Sequence, residues 1–284
     1  MRILITGGRG MLGRTLLHRL AHHQCLGTDI DDCDIAIASQ VETLVSDFQP
    51  NVIIHCAAMT AVDACESRWD DAMRINAIGS ANVAAACHRH RAKMIAISTD
   101  YVFSGSLERP YHEWDEPGPV SVYGQSKLAG ENFVRQLCPE HLIARIAWLY
   151  GPGGPSFLHT IVRLSQTQNQ LKVVDDQHGN PTSTFAVAEQ LAQLIELPLA
   201  GTVHLTCEGE TTWFGFAQEL LRLLGRDISL QPCTTAEFPR PAPRPANSRL
   251  DNAFLRLQGL SPMPHWRAAL AEFVRFEFPM TNDQ

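Results

Sequence analysis

Tyr123 and Lys127 stand four residues apart in VYGQSKLAGE, a spacing that on a helix puts both side chains on one face about a turn apart. A carbonyl that receives hydride must also receive a proton, and a phenol, with an ordinary pKa of about 10, does acid–base work near neutrality only if something stabilises its phenolate. A neighbouring ammonium does so. The chain holds four tyrosines and only three lysines, Lys93, Lys127 and Lys172, so this pair stands out from chance, with a plain surface Tyr–Lys pair as the alternative. The run KMIAISTDYVF reads as a buried strand that ends in hydroxyls and an acid, Asp100, at the carboxyl edge where open α/β sheets bind ligands. Thr99 at that edge can hydrogen-bond a substrate carbonyl beside Tyr123. Capping of the strand by Ser98 and Thr99 is the competing reading.

A second constellation follows the first apolar run, RILIT. The segment GGRGMLG satisfies GxGxxG from Gly8 to Gly13 and the wider GxxGxxG at Gly7, Gly10 and Gly13. Glycines in such a turn let the backbone approach a pyrophosphate, whose charge meets free N–H groups and the positive end of the helix that begins there. The acid expected about 20 residues further on is Asp29, placed to accept the hydroxyls of an adenosine ribose. Asp31, Asp32 and Asp34 follow with no lysine or arginine beside them in the sequence. A 2′-phosphate would meet like charges there, so the coenzyme is NADH or NADPH with NADH favoured, and Arg9 in the glycine loop is the residue able to offset the repulsion.

The elements that must position these groups alternate. Short apolar runs at RILIT, CLGTDI, NVIIHCAA and KMIAIST are separated by helical patterns over Leu12 to His22, near Val41 to Asp47 and near Trp69 to His90. This predicts an α/β fold, a doubly wound parallel sheet of Rossmann type over residues 1–150. Beyond it, Pro- and Gly-rich loops with helices at Phe214 to Leu224 and Trp266 to Phe276 predict a smaller C-terminal α/β substrate domain over 151–284, some segments of which return to the first. The Pro-rich stretch from Phe238 to Pro245 is short and reads as an ordered loop.

Composition narrows the function classes. A formal charge of -7 and three lysines exclude a nucleic-acid surface. The opening MRILITGG is too short an apolar run for a signal-peptide core, and nothing approaches the ~18 apolar residues of a membrane span, so no membrane partner is expected. Eight cysteines without a CxxC spacing point to a reducing compartment, the cytoplasm. His18 and His22 lie at i, i+4 but lack a third ligand, so no metal is expected. Glu66 and the acids of HEWDE read as ordinary helix or loop charges.

Taken together, the blocks TGGRGMLG, CAAMTAVDACE, INAIGSANVA, STDYVFSG, YGQSKLAGE, RIAWLYG, DQHGNPTS and RPANSRLD, which run in order from residue 1 to about 270, resemble the dTDP-4-dehydrorhamnose reductases of the extended short-chain dehydrogenase/reductase family. The resemblance implies an oxidoreductase that moves hydride from NAD(P)H to the C4 ketone of dTDP-4-dehydro-L-rhamnose, giving dTDP-L-rhamnose. It implies a catalytic set of Thr99, Tyr123 and Lys127, the last two also touching the coenzyme. Further coenzyme contacts are implied at Gly7, Gly10, Met11, Leu12, Gly13, Asp29, Asp34, Ile35, Ala58, Met59 and Thr60. Substrate contacts, to a dTDP-linked 4-keto-6-deoxy sugar bound mainly by residues 151–284, fall on Thr99, Asp100 and Trp148, with Arg244 as a diphosphate partner. Two departures stand out: Ser156 replaces an asparagine frequent in such chains, and Thr15 replaces a glutamate that helps bind a metal at a dimer interface. A monomer or weak homodimer without metal is therefore expected. Rival readings are a 4-ketoreductase for another dTDP-deoxysugar, since fold and catalytic set do not determine stereochemistry, and a non-catalytic NAD(P)-binding regulatory subunit like the β subunit of methionine adenosyltransferase.

Overall fold

The computed structural model describes residues 1–279. Its first half runs β1 (Arg2–Thr6), α1 (Met11–Arg19), β2 (Gln24–Thr28), α2 (Ala38–Phe48), β3 (Val52–His55), α3 (Val62–Ser67), α4 (Trp69–Ala72), α5 (Gly79–His90), β4 (Lys93–Thr99), α6 (Val122–Leu137) and β5 (His141–Ile146). A π-helical stretch at Met73–Ile78 joins α4 to α5, so the helical run expected from Trp69 to His90 is one path with a widened turn. The second half continues as β6 (Leu149–Tyr150), α7 (Phe157–Leu164), β7 (Gln170–Val174), β8 (His178–Gly179), β9 (Thr182–Ser183) and α8 (Thr184–Leu194). It closes with β10 (Gly201–His204), β11 (Thr211–Thr212), α9 (Trp213–Leu223), β12 (Ser229–Cys233), α10 (Ala253–Leu257) and α11 (Trp266–Glu277).

Six parallel strands build the central sheet in the order β10-β5-β4-β3-β1-β2. Ile3 and Ile5 point into one apolar layer with Leu12 and Leu16 of α1 and Val187 and Leu191 of α8. Leu4 points into the other, with Val41 of α2, Val83 of α5 and Val134 of α6. Both faces of the sheet are thus covered, which is why its strands are continuous apolar runs. Strand order reverses at β1, so a crevice opens at the carboxyl ends of β1 and β3. β10 lies beyond residue 150 yet pairs with β5 from Gly201↔Leu142 to His204↔Arg145. The rest of the second half adds three two-stranded sheets, β11-β8, β12-β7 and β6-β9.

The Pro-rich loop is pinned rather than loose. Asp63 at the start of α3 accepts the Ala242 N–H at 3.2 Å and pairs with Arg244 at 2.6 Å and Arg240 at 3.2 Å. Ser156 caps α7, its hydroxyl accepting the His159 N–H.

Candidate active site

At the carboxyl edge of the sheet lies a cavity of about 760 Å³. Every residue singled out above as catalytic or ligand-binding lines it except Met59 and Arg244. Met59 sits just behind, its N–H donating to Asn76 Oδ1 at 2.7 Å. Arg244 is committed to Asp63 and to the Ala242 carbonyl, and meets the cavity only through Tyr101, which it neighbours.

One wall is the glycine loop. Gly7 has a positive φ of 70° and closes the turn by accepting the Gly10 N–H at 3.0 Å. A Cβ on Gly13 would collide with the Gly7 carbonyl, so only glycine lets α1 start this close to the strand. The N-terminus of α1 has no side-chain cap and no acid in its first turn, which leaves its N–H groups and positive dipole end for an anion. Asp29, on the segment after β2, accepts the Arg9 N–H at 3.1 Å and the Ile30 N–H at 2.9 Å. The fold also brings cations to the acids that stand alone in the sequence. Arg9 pairs with Asp31 at 2.6 Å and Asp32 at 3.2 Å, and Arg74, from the π-helical stretch, pairs with Asp34 at 3.0 Å. The absence of nearby arginine in that segment is therefore a property of the sequence alone and not of the site.

The opposite wall carries the Tyr–Lys pair of α6. Ser121 caps α6 by accepting the Gly124 N–H at 3.2 Å, and Glu66 accepts the Val122 N–H at 2.9 Å. Glu66 is thus an anchor for the helix that presents Tyr123 and Lys127, not a free helix charge. Lys127 is buried and donates to the Ile97 carbonyl at 2.8 Å. Burial lowers its pKa to about 8, against the pull of Glu131 and Cys56. Burial pushes the Tyr123 phenol above its ordinary range, and the neighbouring Thr99 hydroxyl draws it part of the way back. The phenol is accordingly in its proton-loaded form, the form a proton donor needs. Thr99 gives its own proton to Asp100 Oδ1 at 2.9 Å and accepts the Tyr101 N–H at 3.2 Å. Asp100 is 2 % exposed. Burial raises its pKa to about 6, with the Thr99 and Ser248 hydroxyls opposing.

Trp148 lines the same cavity. Its backbone is left-handed, with φ of 46°, a conformation costly for a bulky residue. Its indole donates to Ser248 Oγ at 3.0 Å and stacks on Trp213 at 3.5 Å between centroids. Trp213, itself held by Gln177 Oε1 at 3.1 Å, carries no motif that points to a site and escapes a reading of the sequence. Of the acids in HEWDE, Glu113 is buried and accepts the backbone N–H groups of His204 at 3.1 Å and Phe254 at 3.0 Å. It ties β10 to α10 and is not a loop charge. Asp115 pairs with Arg109 at 2.6 Å.

The RmlD substrate binding domain family model matches residues 1–277. A dTDP-4-dehydrorhamnose reductase of Streptomyces griseus is 44% identical over 280 residues, covering 95% of this chain and 92% of that protein. The crystal structure of a dTDP-4-dehydrorhamnose reductase from Clostridium acetobutylicum superposes with a TM-score of 0.95 at 45% identity, covering 97% of this chain and 99% of the other. One from Bacillus anthracis, solved in complex with NADP, gives 0.94 at 39% identity, covering 96% and 98%.

Proposed function

The chain belongs to the RmlD substrate binding domain family, and from that premise we propose that it is a reductase taking the C4 ketone of dTDP-4-dehydro-L-rhamnose to the alcohol of dTDP-L-rhamnose at the expense of NADH or NADPH. The observation that carries this reading is the meeting, in one cavity, of an uncapped glycine-loop helix with Thr99, Tyr123 and Lys127. The coenzyme, when bound, supplies the hydride. The amides at Gly10 to Gly13 fit its diphosphate and the Asp29 carboxylate its adenosine ribose, with Asp34, Ile35 and Ala58 to Thr60 around it. Tyr123 delivers the proton to the ketone oxygen, and the Lys127 ammonium stabilises the phenolate left behind. Asp100 Oδ2, buried and without a hydrogen-bond partner, takes a sugar hydroxyl, and Trp148 supports the sugar. Arg244 reaches the diphosphate by giving up part of its contact with Asp63.

Residues 1–150 hold the coenzyme and 151–284 mainly the sugar nucleotide, with α8 and β10 serving the first unit. The Asp29 carboxylate, which takes only backbone N–H donors among the described residues, favours NADH, since a 2′-phosphate would meet its charge. Incubation with dTDP-4-dehydro-L-rhamnose and each coenzyme, with NMR of the product, tests the reading. The expected product is dTDP-L-rhamnose, formed faster with NADH. A C4 epimer of it would assign the protein to another 4-ketoreduction, and absence of turnover with any dTDP-4-keto sugar would remove the reductase assignment.

A further inference from the structure

Trp148 holds an unfavourable conformation. A left-handed φ of 46° persists in a bulky residue only where the surroundings over-determine it. The hydrogen bond from the indole to Ser248 Oγ fixes one atom and by itself would leave the ring free to pivot about that atom. The plane is fixed by Trp213, whose ring lies 3.5 Å from that of Trp148, centroid to centroid, and within 6° of parallel. The β8 backbone closes in as well: a Cβ on Gly179 would fall 2.3 Å from Trp148 Cε2 and 2.6 Å from its Nε1. Trp213 is held in turn. It opens α9 behind Thr212, whose hydroxyl caps the helix by accepting the Gly215 N–H at 3.1 Å, and its indole donates to Gln177 Oε1 at 3.1 Å. Gln177 is buried and donates to Thr235 Oγ1 at 2.9 Å, and that hydroxyl donates to Asp176 Oδ1 at 2.6 Å. Trp213 also packs on Phe157, with centroids 4.6 Å apart. Trp148 and Phe157 line the cavity and Trp213 does not, so Trp213 can act on a ligand there only through its neighbours.

We propose that Trp213 is a positioning residue that acts through Trp148: by stacking on the indole it sets the plane against which the deoxyhexose of the substrate rests, and with it the approach of the sugar ketone to the hydride. A 6-deoxy sugar offers an indole C–H groups and a methyl, and such apolar contact has no direction of its own. The orientation of the sugar therefore follows the orientation of the indole. Without the stack, the strain at φ favours relaxation of Trp148, and the indole is left to pivot on its bond to Ser248. Hydride transfer tolerates little of this, since a misplacement of about 1 Å can cost about a hundredfold in rate. The nucleotide and the coenzyme are held by other residues, so the effect of Trp213 falls on the sugar. The competing role for Trp213 is packing alone, because it also lies against the main apolar core.

The test is a double-mutant cycle read on kcat/KM for dTDP-4-dehydro-L-rhamnose. Trp213→Leu keeps an apolar group at the start of α9 and removes the flat face. It is expected to lower kcat/KM by roughly tenfold or more, while inhibition by dTDP, which lacks the sugar, and coenzyme affinity read on NADH emission stay within about twofold. Trp213→Phe keeps a ring to stack and is expected to retain kcat/KM within about threefold of wild type. In the Trp148→Ala background, Trp213→Leu is expected to cost less than about twofold, since no indole is left to orient. Losses that multiply in the double variant, a Phe variant as slow as the Leu variant, or dTDP inhibition that weakens along with turnover would overturn the proposal and leave Trp213 a packing residue. Should Trp213→Leu not fold, Gln177→Leu decides it: this change keeps both rings and removes the anchor of Trp213, and it is expected to lower kcat/KM about threefold or more in the wild-type background and not in the Trp148→Ala background. Equal losses in the two backgrounds defeat the idea. The inference rests on the reductase reading, and the two fail differently: an inactive wild type removes the reading, whereas an active wild type with multiplicative losses removes only the role of Trp213.

Discussion

At the scale of single residues, the proposed proton donor is the group whose removal tests the site most directly. Tyr123→Phe removes the hydroxyl and keeps the ring that packs on Cys65 and Ala72. Turnover should fall at least about a hundredfold while coenzyme affinity, read by fluorescence titration, stays within a few fold; near-normal turnover would mean that another group donates. Asp29→Ala should weaken NADH more than NADPH, because only NADH offers a free 2′-hydroxyl to that carboxylate. Equal losses for the two coenzymes would place the ribose elsewhere. Tyr123, Lys127 and Asp29 are legible in the sequence because helical spacing and the distance from a glycine loop are short-range relations. The partners of the neighbouring acids are not: Arg74 reaches Asp34 across 40 positions, and no local pattern announces it.

At the scale of elements, α6 matters most, since a small shift of this helix moves both Tyr123 and Lys127. One carboxylate locks it to the sheet. Glu131, on α6, is bonded twice by the Arg145 guanidinium of β5 at 2.9 and 2.7 Å, by Ser98 of β4 at 2.6 Å and by Arg135 at 2.8 Å. Burial alone would raise its pKa, but Arg145 and Ser98 outweigh that and hold it below the ordinary range. Glu131→Gln leaves Arg145 buried with no counter-charge, so it should destabilise the protein by about 3 to 5 kcal/mol in urea unfolding. Because the folded-state pKa is depressed, this support is complete above the ordinary glutamate range and is lost as pH falls through the lower, folded value. A Gln variant as stable as wild type would show the ion pair to be offset by its own desolvation. The helices α1, α2, α5, α9 and α11 follow from apolar periodicity, whereas β10, four residues of GTVH, is too short to register and is a strand because β5 offers it an edge.

At the scale of the whole molecule, assembly turns on α1. Thr15 is 7 % exposed and faces Thr184 of α8 at 3.0 Å, inside the packing of two helices of the same chain. A hard cation needs several oxygen ligands in fixed geometry, and among the described residues no cluster of His, Cys, Asp and Glu could hold one. Activity and molecular mass should therefore be indifferent to Mg²⁺, with a monomer in light scattering at micromolar concentration with or without EDTA. A dimer that chelation dissociates would show that carboxylates from two copies converge where one chain alone has none. What the sequence determines by itself is whatever depends on neighbours along the chain: the alternation that makes a parallel sheet, the glycines that let a helix start against it, and the Tyr–Lys pair on one helical face. Only the tertiary structure decides which charges are compensated, that Glu113 and Glu66 are structural anchors, and which way the Thr99 proton points. Those depend on atoms brought within hydrogen-bonding distance from remote segments, and on the removal of water that makes each such contact count.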